Sequence, residues 1–407
     1  MPPFDRWEPL RAALAEKAAQ NLSREIIAVD SPPAPRVRVR GREMAMLASN
    51  NYLDLANDER VKAAAIAATQ KYGAGSGGAR LTTGALVLHD ELEAALARFK
   101  HAEAALLFNT GYQANAGIIS ALCSRDWTIF SDELNHASII DGCRLSRAKI
   151  VVYRHNDMND LRAKVRAERG VGGAGGGLLV SDGVFSMDGD LVNLPEWLAI
   201  AREFDLFSLI DEAHATGVIG ASGRGVGEYF AALPENRGRD LRPDIIVGTC
   251  SKALGSSGGF AAGRRLLIDF LRHQARSFIF STMLPPGAVA AANEALRIIV
   301  AEPERLAKLR RNLQIFYDHL SVNFGDGAPP PPSIATLNAG GVSAIVPLIV
   351  GDEAAAMTLA QELFTAGYFV SAIRYPTVAR GQARLRFALS AGHQAADLTP
   401  PFGTIKN

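Results

Sequence analysis

The stretch Gly248-Thr249-Cys250-Ser251-Lys252-Ala253-Leu254-Gly255-Ser256-Ser257-Gly258-Gly259 decides how the rest of this chain is read. Before it runs Asp244-Ile245-Ile246-Val247, apolar and β-branched, the pattern of a strand buried on both faces of a parallel sheet. A single lysine then stands among small residues. Taken alone, a Ser-Lys pair reads as a solvated loop. Behind a buried strand, however, Lys252 has no surface to snorkel to unless the loop opens into a cavity, and a desolvated amine has a lowered pKa and becomes a usable nucleophile. The glycines around it would let a flat ligand approach the backbone.

Working back along the chain, other polar residues stand at the ends of apolar runs. Leu206–Ile210 is a strand pattern that ends in Asp211-Glu212-Ala213-His214. A carboxylate at the carboxyl end of a buried strand is destabilising unless it meets a cation, and His214 can face the same crevice; the other reading is an acidic pair capping a helix. Leu178–Asp182 is a further strand, followed by Gly183-Val184-Phe185-Ser186. Ile129–Asp132 leads to Asn135-His136-Ala137-Ser138, where His136 is either a structural histidine or a ring able to stack on an aromatic cofactor. Ala104–Phe108 leads to Asn109-Thr110-Gly111-Tyr112, a strand, a turn and a helix start, which aims backbone N–H groups at a phosphate. Ligands in open α/β sheets sit at the carboxyl ends of strands, where all these residues fall.

The flanking segments are expected to be a helix from Glu8 to about Ile27, a hairpin at Val37–Arg42, a polar turn at Asn50-Asn51 and a helix over Glu59–Lys71. Tyr72–Arg80 is so rich in glycine that it is either flexible or in contact with a ligand. A helix spans His89–Lys100. Beyond Lys252, Gly259–Ala262 and a helix to about Arg276 lead to Met283-Leu284-Pro285-Pro286, a boundary. Helical patterns then run to about Val300 and resume after Pro303. Strands are expected at Val342–Ile349, Tyr368–Ile373 and Ala383–Leu389. Arg374, at a strand end, suits a bidentate carboxylate, or is simply a surface arginine. The glycine run 172–177 and the proline run 329–332 read as loops.

With 407 residues, the chain exceeds the size at which single cores divide. The expected organisation is an N-terminal segment 1–46, a large domain 47–285 and a small domain 286–407. A net charge of +1 argues against nucleic acid as a partner. Cys123, Cys143 and Cys250 form neither a disulfide framework nor a metal spacing, which fits a reducing cytoplasm. No apolar run reaches the length that spans a membrane.

A phosphate turn, a histidine, a serine, Asp-x-x-His, Ser-Lys and a late arginine, in this order, are the protein side of pyridoxal phosphate chemistry. From about Leu47 to His393 the chain resembles the α-oxoamine synthases of the fold-type I pyridoxal-phosphate superfamily. These have a large domain around a mostly parallel sheet and a smaller α+β C-terminal domain. They join an amino acid to an acyl thioester with loss of carbon dioxide. The resemblance implies that Lys252 forms the Schiff base with pyridoxal 5'-phosphate and that Asp211 meets the pyridine nitrogen. It implies that His214 and Ser186 contact the phenolic oxygen and that His136 stacks on the ring. Gly111, Tyr112 and Thr249 match phosphate-binding positions, and Thr282 a phosphate contact from a neighbouring subunit, hence a homodimer with shared active sites. Asn50 and Arg374 match positions holding the amino-acid carboxylate.

Gly77–Gly84, Ser138–Ser146 and Ala372-Ile373-Arg374 resemble the branch that condenses L-alanine with a pimeloyl thioester, carried on coenzyme A or an acyl carrier protein, in biotin synthesis. Gly381-Gln382-Ala383-Arg384 is shared with the branch using glycine and acetyl-coenzyme A, and a third branch takes serine and a palmitoyl thioester. Three residues depart from the alanine branch: Tyr375 stands for a usual proline, Asp54 for a glycine, and Ala85 for Asn or Thr. An aminotransferase, which releases no thiol, and a catalytically silent protein on the same fold are the competing expectations.

Overall fold

The computed structural model describes residues 5–20, 22–23, 25–169, 175–324 and 340–402. The proline run 329–332 and residues 172–174 of the glycine run lie outside the described residues. In chain order the elements are α1 (Glu8–Ala19), β1 (Arg36–Val39), β2 (Arg42–Met46), α2 (Glu59–Tyr72), α3 (Val87–Phe99), β3 (Ala104–Phe108), α4 (Gly111–Leu122), β4 (Thr128–Asp132) and α5 (Ala137–Ser146). There follow β5 (Lys149–Tyr153), α6 (Met158–Arg169), β6 (Gly177–Asp182), α7 (Leu194–Glu203), β7 (Phe207–Asp211), α8 (Val226–Ala232), β8 (Ile245–Thr249), β9 (Gly259–Gly263), α9 (Arg265–Gln274) and α10 (Arg276–Ile279). The rest is α11 (Pro286–Ala301), α12 (Pro303–Phe324), β10 (Ile345–Gly351), α13 (Glu353–Thr365), β11 (Tyr368–Phe369), β12 (Ser371–Ile373) and β13 (Ala383–Ala388).

Seven strands form one sheet in the order β3-β9-β8-β7-β6-β4-β5. Only β9 runs against the others, so the expected mostly parallel sheet is what these sequences build. Every residue of β3 and β6 is buried, because apolar side chains that alternate in direction meet a core on either face. Leu107, Phe130, Leu179 and Ile210 belong to one core, and Leu106, Ile129, Leu178, Val180, Leu209 and Val247 to the other. The sheet therefore lies between two apolar layers, and its six parallel strands end at one common edge.

Two differences from the sequence expectation have physical reasons. Helix α1 stops at Ala19 rather than near Ile27, and the Leu22 N–H bonds the Lys17 carbonyl at 2.8 Å, a closing bond that ends the helix. The expected strand Tyr368–Ile373 is two strands. Its first half pairs with β2 and its second with β13, so it links two small sheets. Through β11 the N-terminal hairpin β1-β2 is bound to the C-terminal part of the chain. Asp54, standing for a usual glycine, has φ of 55°, a left-handed backbone that aspartate tolerates better than most side chains.

Candidate active site

The sheet topology brings the expected residues together. Strands β3, β4, β6, β7 and β8 deliver Gly111, His136, Ser186, Asp211 and Lys252 respectively at their carboxyl ends. At the β8 end, the Lys252 Nζ lies 2.9 Å from His214 Nε2. Burial, partly offset by Asp211 and Asp182 and reinforced by Arg386, lowers the lysine to about 8. His214, buried and beside the same lysine, is held well below the usual histidine range and is neutral. Its other nitrogen, Nδ1, is 2.6 Å from the Tyr52 hydroxyl, which donates to Asn50 Oδ1 at 3.0 Å.

Asp211 is buried, with its Oδ2 accepting from Asn115 Nδ2 at 2.6 Å and its Oδ1 from the Ala213 N–H at 2.8 Å. Among the described residues it makes no ion pair, which a buried carboxylate ordinarily needs. A protonated pyridine nitrogen would supply such a cation. Asn115 also donates to Ser138 Oγ at 2.9 Å, and that hydroxyl lies 2.8 Å from His136 Nδ1. Asp211 and the His136 ring are thus joined by two intervening side chains. His136 itself caps α5, and partial burial of its ring, with Lys252 nearby, lowers its pKa against the pull of Asp211.

The turn before Gly111 opens a helix, as the sequence predicts. Thr110 caps α4 by accepting from the Gln113 N–H at 3.0 Å, so the first-turn N–H groups of Gly111 and Tyr112 have no partner within the helix. Gly259 must be glycine here, since a Cβ would stand 2.4 Å from the Thr110 carbonyl. Thr249 Oγ1 sits at the same turn, 2.8 Å from the Gly258 carbonyl and 2.7 Å from Ser251 Oγ. Backbone donors, hydroxyls and a helix N-terminus suit a phosphate. These residues together fit pyridoxal 5'-phosphate: a cradle for its phosphate, a carboxylate for its nitrogen, an amine for its aldehyde.

The substrate side is less as expected. Asn50 is in place, but Arg374 is not brought to it. Its guanidinium lies on Met357 Sδ at 2.8 Å and on the Ser23 carbonyl at 2.9 Å. Arg386 on β13 reaches Asn50 Oδ1 at 3.3 Å and the Ser186 carbonyl at 2.5 Å. It is buried, and among the described residues no carboxylate pairs with it. Sequence reading passed over it, although two arginines at positions 384 and 386 of a strand otherwise apolar on that face are the signal that finds it; Arg384 is taken by Asp188. Thr282 pairs with Ala79 and accepts from Asn109 Nδ2 through its carbonyl at 2.6 Å.

Asp182 was also passed over as a site residue. It stands beside Asp211 in the parallel register of β6 and β7, accepting from the His136 N–H at 2.7 Å. Burial and the neighbouring Asp211 raise its pKa well above the usual carboxylate range. Among the described residues no group of histidine, cysteine and acidic side chains could hold a metal ion, and no helix is long and apolar enough to cross a membrane.

The family model for class I and II aminotransferases matches residues 42–400. An 8-amino-7-oxononanoate synthase of Symbiobacterium thermophilum is 45% identical over 378 residues, covering 93% of this chain and 91% of that protein. One of Geobacter sulfurreducens is 45% identical over 388 residues, covering 95% and 94%. A solved structure of serine palmitoyltransferase with its PLP internal aldimine superposes with a TM-score of 0.86 at 31% identity, covering 97% of this chain and 96% of that one.

Proposed function

We propose that this chain, which belongs to the class I and II aminotransferase family and within it to the α-oxoamine synthases, condenses L-alanine with a pimeloyl thioester on pyridoxal 5'-phosphate. The observation that carries the reading is an amine near pKa 8 flanked by a buried carboxylate, Asp211, and a buried cation, Arg386, neither of which has an ion-pair partner among the described residues. The first suits the cofactor ring and the second suits an amino-acid substrate. The relatives' names give 8-amino-7-oxononanoate as their product, and alanine follows from the resemblance of the 77–84, 138–146 and 372–374 stretches.

When bound, the cofactor supplies an electron sink for the carbon bearing the amino group. Lys252 Nζ holds the cofactor and, once released, takes the α-proton of the amino acid. Asp211 would keep the ring nitrogen protonated, His136 would stack on the ring, and His214 and Ser186 would contact its phenolic oxygen. Gly111, Tyr112 and Thr249 hold the phosphate. Asn50 and Arg386 orient the carboxylate, so the Cα–H bond faces Lys252. The new C–C bond would form as the acyl carbon's bond to sulfur breaks and the thiolate leaves, taking a proton from solvent; the amino acid's carboxylate would then depart as carbon dioxide, and the proton held on Lys252 would return to the α-carbon.

We assign Thr282 to the phosphate of a partner subunit in a homodimer. Leu81 and Phe280, 57% and 70% exposed on either side of the Ala79–Thr282 bridge, are the apolar surface that such a partner would cover. Sedimentation at micromolar concentration tests this, and a monomer sinks it.

The test of the reaction is free-thiol release over a grid of amino acids and acyl thioesters. Alanine with a pimeloyl thioester should be the best pair. One methyl is worth only about 1–3 kcal/mol of discrimination, so some turnover of glycine or serine is expected. The structural likeness to serine palmitoyltransferase favours a second reading, serine with a palmitoyl thioester. Preference for that pair, or for glycine with an acetyl thioester, overturns the alanine assignment and leaves the chemistry. No thiol release with any pair overturns the chemistry too. Arg374→Ala and Arg386→Ala decide the carboxylate partner, whose loss should raise the alanine KM while cofactor stays bound.

A further inference from the structure

Strand β13 is the middle strand of the small sheet β10-β13-β12, and Arg384 and Arg386, two positions apart, stand on one face of it. Both are buried, and both reach the loop between β6 and α7 that carries Ser186. Arg386 Nε donates to the Ser186 carbonyl at 2.5 Å. Arg384 Nη1 donates to the next carbonyl, that of Met187, at 3.3 Å and pairs with the Asp188 carboxylate. Gly189 then presses on β10, with φ of 76° and room for no Cβ, which would stand 2.4 Å from the Ile345 carbonyl. The loop is closed on itself as well. The Gly189 N–H bonds the Phe185 carbonyl at 2.8 Å, and the Phe185 N–H bonds the Asp190 carbonyl at 3.0 Å. Residues 185–190 are therefore one compact unit, delivered by the large sheet but fastened to the small one.

We propose that Arg384 is a positioning residue that holds the 185–190 loop, and with it Ser186, at the crevice, leaving Arg386 free for the substrate's carboxylate. The two arginines differ in what they touch. Arg386 also reaches Asn50 Oδ1 at 3.3 Å, so its guanidinium is shared between the loop and the substrate side. A carboxylate arriving there forms a charge-assisted pair, which outcompetes the neutral Ser186 carbonyl. Arg384 bonds the Gln382 carbonyl at 3.1 Å besides Met187 and Asp188, and its ion pair with Asp188 is the charge-assisted contact that the loop keeps. A guanidinium is needed for this, since one planar fork serves a carbonyl and a carboxylate together and an ammonium serves them less well. The middle strand of a sheet is a rigid place from which to fix a site residue.

The inference rests on the reading of Ser186 and Arg386 given above, and its first test does not need the loaded enzyme. In the full-length chain freed of cofactor, amide hydrogen exchange read by mass spectrometry follows the 185–190 loop. Arg384→Met keeps the buried stem and removes the donors. It should speed exchange in that loop roughly tenfold, the factor that one charge-assisted hydrogen bond commands, and leave β6 and β7 at the wild-type rate. Asp188→Ala, at a side chain 33% exposed, should do the same with little risk to folding, and Arg384→Lys should recover part of the loss. Unchanged exchange in the loop, or an acceleration spread evenly over the chain, overturns the proposal. With cofactor bound, the absorbance of the lysine-bound form is titrated across pH. Arg384→Met should move the midpoint by roughly half to one pH unit, in the same direction as Ser186→Ala, and the double variant should move it no further. Shifts that add overturn the claim that Arg384 acts through Ser186. A titration that Ser186→Ala leaves unmoved instead fails the reading of Ser186 toward the cofactor, and loop exchange then decides the hold by itself.

Discussion

Among the described residues, Lys100 is buried and Lys252 half-buried, and they have opposite lives. Lys100 ends α3 with its Nζ 2.5 Å from Glu212 Oε2 and 2.6 Å from the Arg224 carbonyl. Glu212 Oε1 is satisfied in turn by the Val226 N–H at 2.8 Å, and Gly225 passes so close to this carboxylate that a Cβ would collide with it. Lys252 faces a neutral imidazole instead, and burial draws its pKa down to about 8. The two acids concerned, Asp211 and Glu212, are consecutive. Successive residues at a strand end point to opposite faces, so one serves the crevice and the other clamps α3 and the 224–226 loop to the sheet. What meets the amine decides whether a buried lysine is a chemical group or a structural one.

Exchanging the lysines' surroundings by mutation tests this contrast. Lys252→Ala should abolish thiol release and the visible absorbance of lysine-bound cofactor while the fold persists. Retained turnover removes Lys252 from the chemistry. Lys100→Met should act on the other side of the comparison. It leaves Glu212 buried and unpaired, which costs about 3–5 kcal/mol of stability, read as a shift in the urea midpoint. The double variant Lys100→Met with Glu212→Gln should recover much of that. A loss under 1 kcal/mol in the single variant would mean that the pair clamps nothing.

Asp211→Asn should keep the urea midpoint near wild type and slow turnover about a hundredfold, roughly 3 kcal/mol, the usual size for removing one electrostatic stabiliser. If instead stability falls and the rate holds, Asp211 belongs with Glu212 as a structural acid. The smallest effect is expected at His155, wedged between Asp132 and Asp190 at 3.0 Å each. Burial alone would lower its pKa, but the hydrogen bonds to both acids lift it to about 10. A histidine raised in the folded state stabilises fully below the unfolded value near 6.5 and loses that contribution as pH rises through about 10. His155→Gln should therefore cost roughly 1 kcal/mol at pH 6 and nearly nothing above pH 10, in urea titrations at both values. An equal loss at both pH values would rule out the charged form.

The strands of the large sheet were readable because burial on both faces writes a continuous apolar run, as at Leu178-Leu179-Val180. Lys252, Asp211 and His214 were readable because polar residues at the ends of such runs have nowhere to hide. The α1 terminus was not, since α1 buries none of its residues and no packing pattern marks where it stops. Nor was the division of Tyr368–Ile373 between two sheets, which depends on partners hundreds of residues away.

By itself, then, the sequence determined the sheet, the lysine, the acid and the phosphate turn. Each of these is local: a strand pattern, the residue that ends it, and the glycines that follow. Tertiary structure alone decided that Arg386 rather than Arg374 stands at Asn50, that Asp182 lies beside Asp211, and that Tyr52 reaches His214 from 162 positions away. Strand register and the approach of β13 to the crevice set those contacts. Side-chain hydrogen bonds act over about 3 Å, a distance that no reading along the chain can measure.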